Sequence, residues 1–228
     1  MTEERTVKLY YEDPYMREFE AKVLSIEVSE VVLDRTAFYP EGGGQAGDTG
    51  VIDGVRVTDT QIRDGFVAHI LETPPRFKVG DSVKCGIDWE RRYRIMKLHS
   101  AAHIMEHFLW QQLGKMERLG SHVDEKKDRA DYAYEGRLPA VELRRVEEAT
   151  NLFLAEGHEV KIRLNPSKPG IRIWSCGPIE MPCGGTHVHN TREIGAIRLK
   201  RRNPGRGVER IETTLAEEDP TLTPKTFI

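Results

Sequence analysis

Cysteine is scarce in this chain: Cys85, Cys176 and Cys183 are all it has in 228 residues. An odd, sparse set builds no disulfide framework and fits a reducing compartment, so the cytoplasm is the expected location. Long apolar runs are also lacking, and none approaches the ~18–20 residues needed to span a bilayer. The first residues, "MTEERTVKLYYEDP", are acidic and hold no apolar segment of the secretory type. No internal repeat is found. These absences argue against a membrane-spanning protein and a disulfide-stapled secreted module. What is present, 38% hydrophobic and 31% charged residues, describes a highly charged globular protein of one large domain or two small ones.

The net charge of −3 hides an asymmetry. Residues 1–90 carry 10 Lys and Arg against 18 Asp and Glu, whereas the rest carries 24 against 19. The second part is therefore the one suited to face phosphates, although a mixed, solvated surface would look the same.

Texture divides the chain near residue 90. "AKVLSIEVSEVVLD", "VRVTDTQI", "FVAHIL" and "SVKCGIDW" alternate apolar and polar residues between turn signals, which predicts a small β domain, barrel-like, over residues 1–89. "ERRYRIMKLHSAAHIMEHFLWQQLG" (90–114) then has helical spacing and ends on Gly114. "LPAVELRRVEEATNLFLAEG" (138–157) predicts a second helix, opened by Pro139 and closed by Gly157. Strands are expected in "EVKIRL", "IRIWSC", "AIRLK" and "VERIETTL". The expected fold class is α+β: the β domain, then an α+β domain over 90–215 with helices on an antiparallel sheet, then a poorly structured tail over 216–228.

Two short stretches carry metal-binding chemistry. His99 and His103 stand four apart on the first predicted helix, so their imidazoles share a face about one turn apart. They read either as a ligand pair or as packed core histidines. His107 is ~12 Å of helical rise from His99 and too distant to share its ion. Ser100 occupies the place of the glutamate in the HExxH of zinc peptidases, which argues against that class. Glu106 is either a partner for an imidazole or solvated.

The other stretch is "PCGGTHVHN" (182–190), where Cys183 and His187 flank a Gly184-Gly185 pair that permits a tight turn with unusual dihedrals. Together the four donors make a His₃Cys set that suits one tetrahedral zinc ion per chain. A closed structural ion and a catalytic one remain alternatives. His189 has no assigned role.

With "LHSAAH", "CGGTHV" and "TREIGAIRLKRRNPGRGVERIE" (191–212), the chain resembles the editing region shared by alanyl-tRNA synthetases and the second additional domain of threonyl-tRNA synthetases. "TAFYPEGGGQAGDTG" (36–50) is similar to the glycine-rich segment of the alanyl branch. The resemblance runs over roughly residues 20–214, with no aminoacylation, anticodon or C-terminal oligomerisation region. It is therefore to the free-standing AlaX editing proteins in their longer form.

That resemblance implies a hydrolase that deacylates mischarged tRNA(Ala) in trans. Serine is the chief expected amino acid and glycine a second, because a pocket sized for alanine excludes neither strongly. It implies that Thr36 senses the serine hydroxyl, where the residues alone would let it merely end a strand. It also implies that Gly43, Gly44 and Gln45 shape the substrate loop, with the Gln45 amide on the aminoacyl group or ribose; a plain hairpin loop or a nest of backbone N–H groups is the alternative for "EGGGQ". The nucleophile is a zinc-bound or a free water.

Arg91, Arg92, Arg94, Lys97, Lys200, Arg201, Arg202, Arg206 and Arg210 are the candidate tRNA phosphate contacts. A zinc-structured RNA-binding module without catalysis is the competing reading. Oligomeric state is open, with a monomer favoured, and no membrane partner is expected.

Overall fold

The computed structural model describes residues 6–216, so the expected tail lies, apart from Ala216, outside the described residues. The fold is α+β. Short β1 (Val7–Lys8) pairs in parallel with β4 (Arg35–Thr36). Between and after them come β2 (Glu18–Glu27), β3 (Glu30–Leu33), β5 (Gly50–Ile52), β6 (Val55–Arg63), β7 (Phe66–Leu71) and β8 (Ser82–Ile87). These six pair antiparallel in the cyclic order β2-β3-β7-β6-β5-β8, with β8 returning to β2. Alternation explains the enclosed core: Val23, Leu33, Ile52, Val57 and Val83 point inward while their polar neighbours face out.

Helix α1 (Trp89–Leu113) opens on Asp88, whose carboxylate accepts the Arg91 N–H at 3.3 Å, and stops at Gly114. It is buried on most of its circumference because it runs through the middle of the protein. Ile95 and Leu98 pack on Ala46 and Val123, Met96 and Ile104 on Trp174 and Val188, and Met105 and Leu109 on Tyr132 and Val146. Burial of each such side chain contributes about 1.5–3 kcal/mol.

After α1 come β9 (Arg118–Val123), β10 (Asp128–Ala133), α2 (Ala140–Glu156), β11 (Val160–Leu164), β12 (Arg172–Cys176), β13 (Ile179–Pro182), β14 (Ile197–Gly205) and β15 (Val208–Leu215). They form an antiparallel sheet, β14-β15-β10-β9, and a smaller one, β11-β12-β13. Among the described residues no helix is long and apolar enough to cross a membrane.

One buried ion pair fixes the glycine-rich segment against α1. Arg92 and Asp48 are each 1% exposed. Arg92 Nε donates to Asp48 Oδ1 at 2.8 Å, and its Nη2 donates to the Ala37 carbonyl at 2.6 Å. Arg92 is therefore withdrawn from the expected phosphate contacts: its charge is neutralised inside the protein and no backbone of a nucleic acid can reach it.

Candidate metal centre and its cavity

The two half-sites meet. His99 and His103 come from α1, Cys183 follows β13 directly, and His187 lies in the loop leading to β14. Their ligand atoms all lie within 4.8 Å of one another, with Cys183 Sγ 3.2 Å from His187 Nε2 and 3.6 Å from His99 Nε2. A tetrahedral zinc with bonds of ~2.0–2.3 Å separates its donors by about 3.3–3.8 Å, so the two Cys183 spacings suit it. His103 Nε2 is buried and has no hydrogen-bond partner among the described residues, a state that a metal bond would resolve.

The surrounding polar groups orient the imidazoles. His99 Nδ1 donates to Gln45 Oε1 at 2.8 Å, which leaves the Nε2 lone pair for the centre. Gln45 is itself clamped: its Oε1 also accepts the Thr186 N–H at 3.0 Å, and its Nε2 donates to Thr186 Oγ1 at 2.8 Å. His187 Nδ1 lies 3.0 Å from Ser100 Oγ, an oxygen that also accepts the Val188 N–H at 3.3 Å. Trp174, fully buried, sets its ring edge-on to His103 at 5.0 Å between centroids.

Burial pushes the His99 imidazole down to about 4 and those of His103 and His187 well below their ordinary value. All three stay neutral near pH 7, as ligation requires. Burial pushes the Cys183 thiol up, while the Gly185 N–H and the Arg118 guanidinium pull it down.

Several sequence expectations need correction at this point. Gly184 and Gly185 do not adopt left-handed backbone. Gly185 is required by close approach instead: a Cβ there would lie 2.3 Å from His99 Cε1 and 2.6 Å from Gln45 Oε1. Thr36, the expected serine sensor, stands apart from the cavity. It is fully buried, Oγ1 sits 2.8 Å from His69 Nε2 and accepts the Phe38 N–H at 3.0 Å, and it does not line the cavity. The Gln45 amide is engaged within the protein, where its hydrogen bonds go to His99 and Thr186.

His107 stays outside the donor group and bonds Gln111 at 3.0 Å. His189 also lies apart, exposed and stacked on Tyr15 at 4.3 Å.

The centre opens into a cavity of about 350 Å³. Gly43 and Gly44 form one wall, where Gly44 has φ +88° and a Cβ would come within 2.9 Å of Ser121 Oγ. That loop is held to β9 by Val123 N–H on the Gly44 carbonyl at 2.7 Å and Ala46 N–H on the Val123 carbonyl at 3.0 Å. Glu106, Arg118, Asp128 and Tyr132 line another wall. Of these, only Glu106 drew notice in the sequence. It accepts from Tyr132 Oη at 3.1 Å and from Arg118 Nη1 at 3.4 Å, and bonds no imidazole.

The remaining candidate phosphate contacts divide into paired and unpaired groups. Arg91 pairs with Glu125 at 3.1 Å, Arg202 with Glu212 at 3.0 Å, Arg210 with Asp131 at 2.6 Å, and Arg201 with Glu209. Arg94 donates to the Glu125 carbonyl at 3.0 Å. Lys97, Lys200 and Arg206 make no ion pair among the described residues, and Lys97 rests 4.5 Å over the Tyr93 ring.

Residues 3–91 match the family described as tRNA synthetases class II (A), and residues 171–212 match the threonyl and alanyl tRNA synthetase second additional domain. The alanyl-tRNA editing protein AlaX-M of Pyrococcus horikoshii is 42% identical over 214 residues, which is 92% of this chain and 98% of that protein. Alanine–tRNA ligases of Saccharolobus islandicus and Thermococcus kodakarensis are 38% and 37% identical over 85% and 90% of this chain. The chain spans about 25% of the length of each ligase.

Proposed function

The chain belongs to the family of alanyl-tRNA editing proteins, and from that premise we propose that it is an aminoacyl-tRNA deacylase acting in trans on tRNA(Ala) that carries serine or, second, glycine. The convergence of four oriented donors on a cavity large enough for an aminoacyl group carries this reading. His99, His103, Cys183 and His187 would hold one zinc ion, and zinc bound there supplies Lewis-acid polarisation of an ester carbonyl or a water of lowered pKa.

The chain's own part is positional. Gln45 and Ser100 hold the Nδ1 sides of His99 and His187, and Gly185 lets the Cys183–His187 turn press against His99. Gly43 and Gly44 bound the space for the aminoacyl end of the tRNA. An ester is already activated, so positioning and polarisation suffice for its hydrolysis. Lys97, Lys200 and Arg206, joined by Arg94, remain the candidate phosphate contacts, and Gly43 and Gly44 the candidate substrate contacts. Residues 1–89 and 90–215 are read as two domains, joined through the Arg92–Asp48 pair. A soluble, cytoplasmic setting accords with this function.

One observation favours a second reading: four protein donors close a tetrahedral shell, as in purely structural zinc sites. Initial rates of ester loss from seryl-tRNA(Ala) and alanyl-tRNA(Ala) separate the two. The deacylase reading expects the seryl ester to disappear faster than in buffer and faster than the alanyl ester. Loss at the buffer rate for both would leave only the structural module.

A further inference from the structure

A second polar group shares the cavity and takes no part in holding the metal donors. Glu106 lies three residues beyond His103 on α1, a rise of ~4.5 Å along the helix, and is 2% exposed. Asp128 faces it from the start of β10 and is 4% exposed. Asp128 Oδ2 is buried, lines the cavity, and has no hydrogen-bond partner among the described residues.

Two carboxyl groups thus meet in one buried wall. Arg118, the guanidinium that bonds Glu106, does so at 3.4 Å from a side chain 44% exposed. Lys115 and Arg129 act on the pair only at longer range. Burial, and then the Glu106 charge, push the Asp128 carboxyl up to about 8, so the pair retains a proton near neutrality. A small cation entering the cavity would pair Oδ2 and release that proton.

An aminoacyl ester brings such a cation. Its α-ammonium group sits on the carbon next to the ester carbonyl, so a carbonyl placed at the metal centre delivers the ammonium within about one helical turn of His103. We propose that Glu106 and Asp128 form the receptor for the α-ammonium group of the aminoacyl ester, with Tyr132 and Arg118 fixing the Glu106 carboxylate. This inference rests on the deacylase reading. It assigns a recognition role that serine, glycine and alanine esters all satisfy, and it excludes esters whose α-nitrogen is uncharged or missing.

The test uses the zinc-loaded full chain and two esters of one tRNA: seryl-tRNA(Ala) and glyceryl-tRNA(Ala), in which a hydroxyl of similar size replaces the ammonium. Wild-type protein is expected to hydrolyse the seryl ester about 10–100-fold faster, the range of one charge-assisted contact. Asp128→Asn and Glu106→Gln, both near-isosteric, are expected to shrink that ratio while zinc content stays at one per chain. Equal wild-type rates on the two esters would overturn the inference and leave the deacylase reading intact, and this arm needs no variant to fold. A ratio unchanged in folded variants would overturn it as well. Failure to hydrolyse either ester would remove the deacylase reading, and the inference with it.

Discussion

At Gly185 a single methyl group decides whether His99 keeps its place. The 2.3 Å approach to His99 Cε1 leaves no room for a Cβ, and the neighbouring Gln45 carbonyl blocks an alternative path. Gly185→Ala is expected to displace the imidazole and lower zinc affinity by at least the ~10–100-fold typical when a ligand's supporting contact is lost. Competition against a zinc-binding dye measures it, and wild-type affinity would contradict the geometry. Gly184→Ala serves as the control, because its Cβ would meet only Tyr11 Oη at an ordinary 3.5 Å.

The four donors themselves were legible in the sequence, because an i,i+4 histidine pair and a Cys–Gly–Gly–Thr–His turn are local patterns. Their supports were not. Nothing local marks Ser100 as the partner of His187, 87 residues away, or Gln45 as the partner of His99, 54 residues away. Asp128 was invisible for another reason. In "DRADYA" charged residues fall on both faces of the strand, so the buried carboxylate looks like a solvated one.

At the scale of elements, the glycine-rich segment and the strands leading to it form a rigid backing for the site. His69 in β7 is fully buried, with Nε2 on Thr36 Oγ1 and Nδ1 donating to the Val31 carbonyl at 2.9 Å. Burial pushes its imidazole down from 6.5 to about 4, against the opposing pull of that carbonyl. The unfolded chain therefore takes up a proton near pH 6.5 that the folded chain refuses until about pH 4. Stability from this residue is complete above pH 6.5 and falls with decreasing pH across that window, by roughly 3 kcal/mol in all.

Urea unfolding between pH 7 and 4 checks the sign. Replacing His69 and Thr36 together with Leu and Val should flatten the slope by about one proton, while lowering stability at all pH values because the Phe38 N–H and the Val31 carbonyl lose their side-chain partners. An unchanged slope would show that other groups account for it. The position of Thr36 in a recognisable motif was clear from the sequence, but the side that its hydroxyl faces depends on β7.

Most strands and both helices were readable from their periods, and α1 ends within one residue of the expected span. Strands β1, β4, β5, β9, β10 and β13 were not, because they are short and rich in charge, Gly or Pro, and β10 also takes a partner far along the chain, β15.

Across the whole molecule, charge plays two separate parts that sequence alone merges. Arg92 is buried against Asp48, whereas Lys97, about one and a half turns on, makes no ion pair among the described residues and is the proposed phosphate contact. Arg92→Met should destabilise the fold by about 3–5 kcal/mol, because Asp48 is left buried and uncompensated. Lys97→Ala should leave stability unchanged and lower the salt dependence of tRNA binding by about 0.7–0.9 of a charge. Denaturant melts and salt-titrated binding on both variants read the two effects independently. A salt slope reduced by Arg92→Met in folded protein would reverse the assignment.

The central claim is that the four-donor centre holds a zinc on which deacylation depends. The most direct measurement follows seryl-tRNA(Ala) hydrolysis in one preparation as zinc is removed by a chelator and then returned, with circular dichroism recorded at each step. Hydrolysis is expected to fall in proportion to zinc, the fold to persist because α1 is packed by three apolar clusters, and one equivalent of zinc to restore the rate. Full activity in folded, zinc-free protein would contradict that claim.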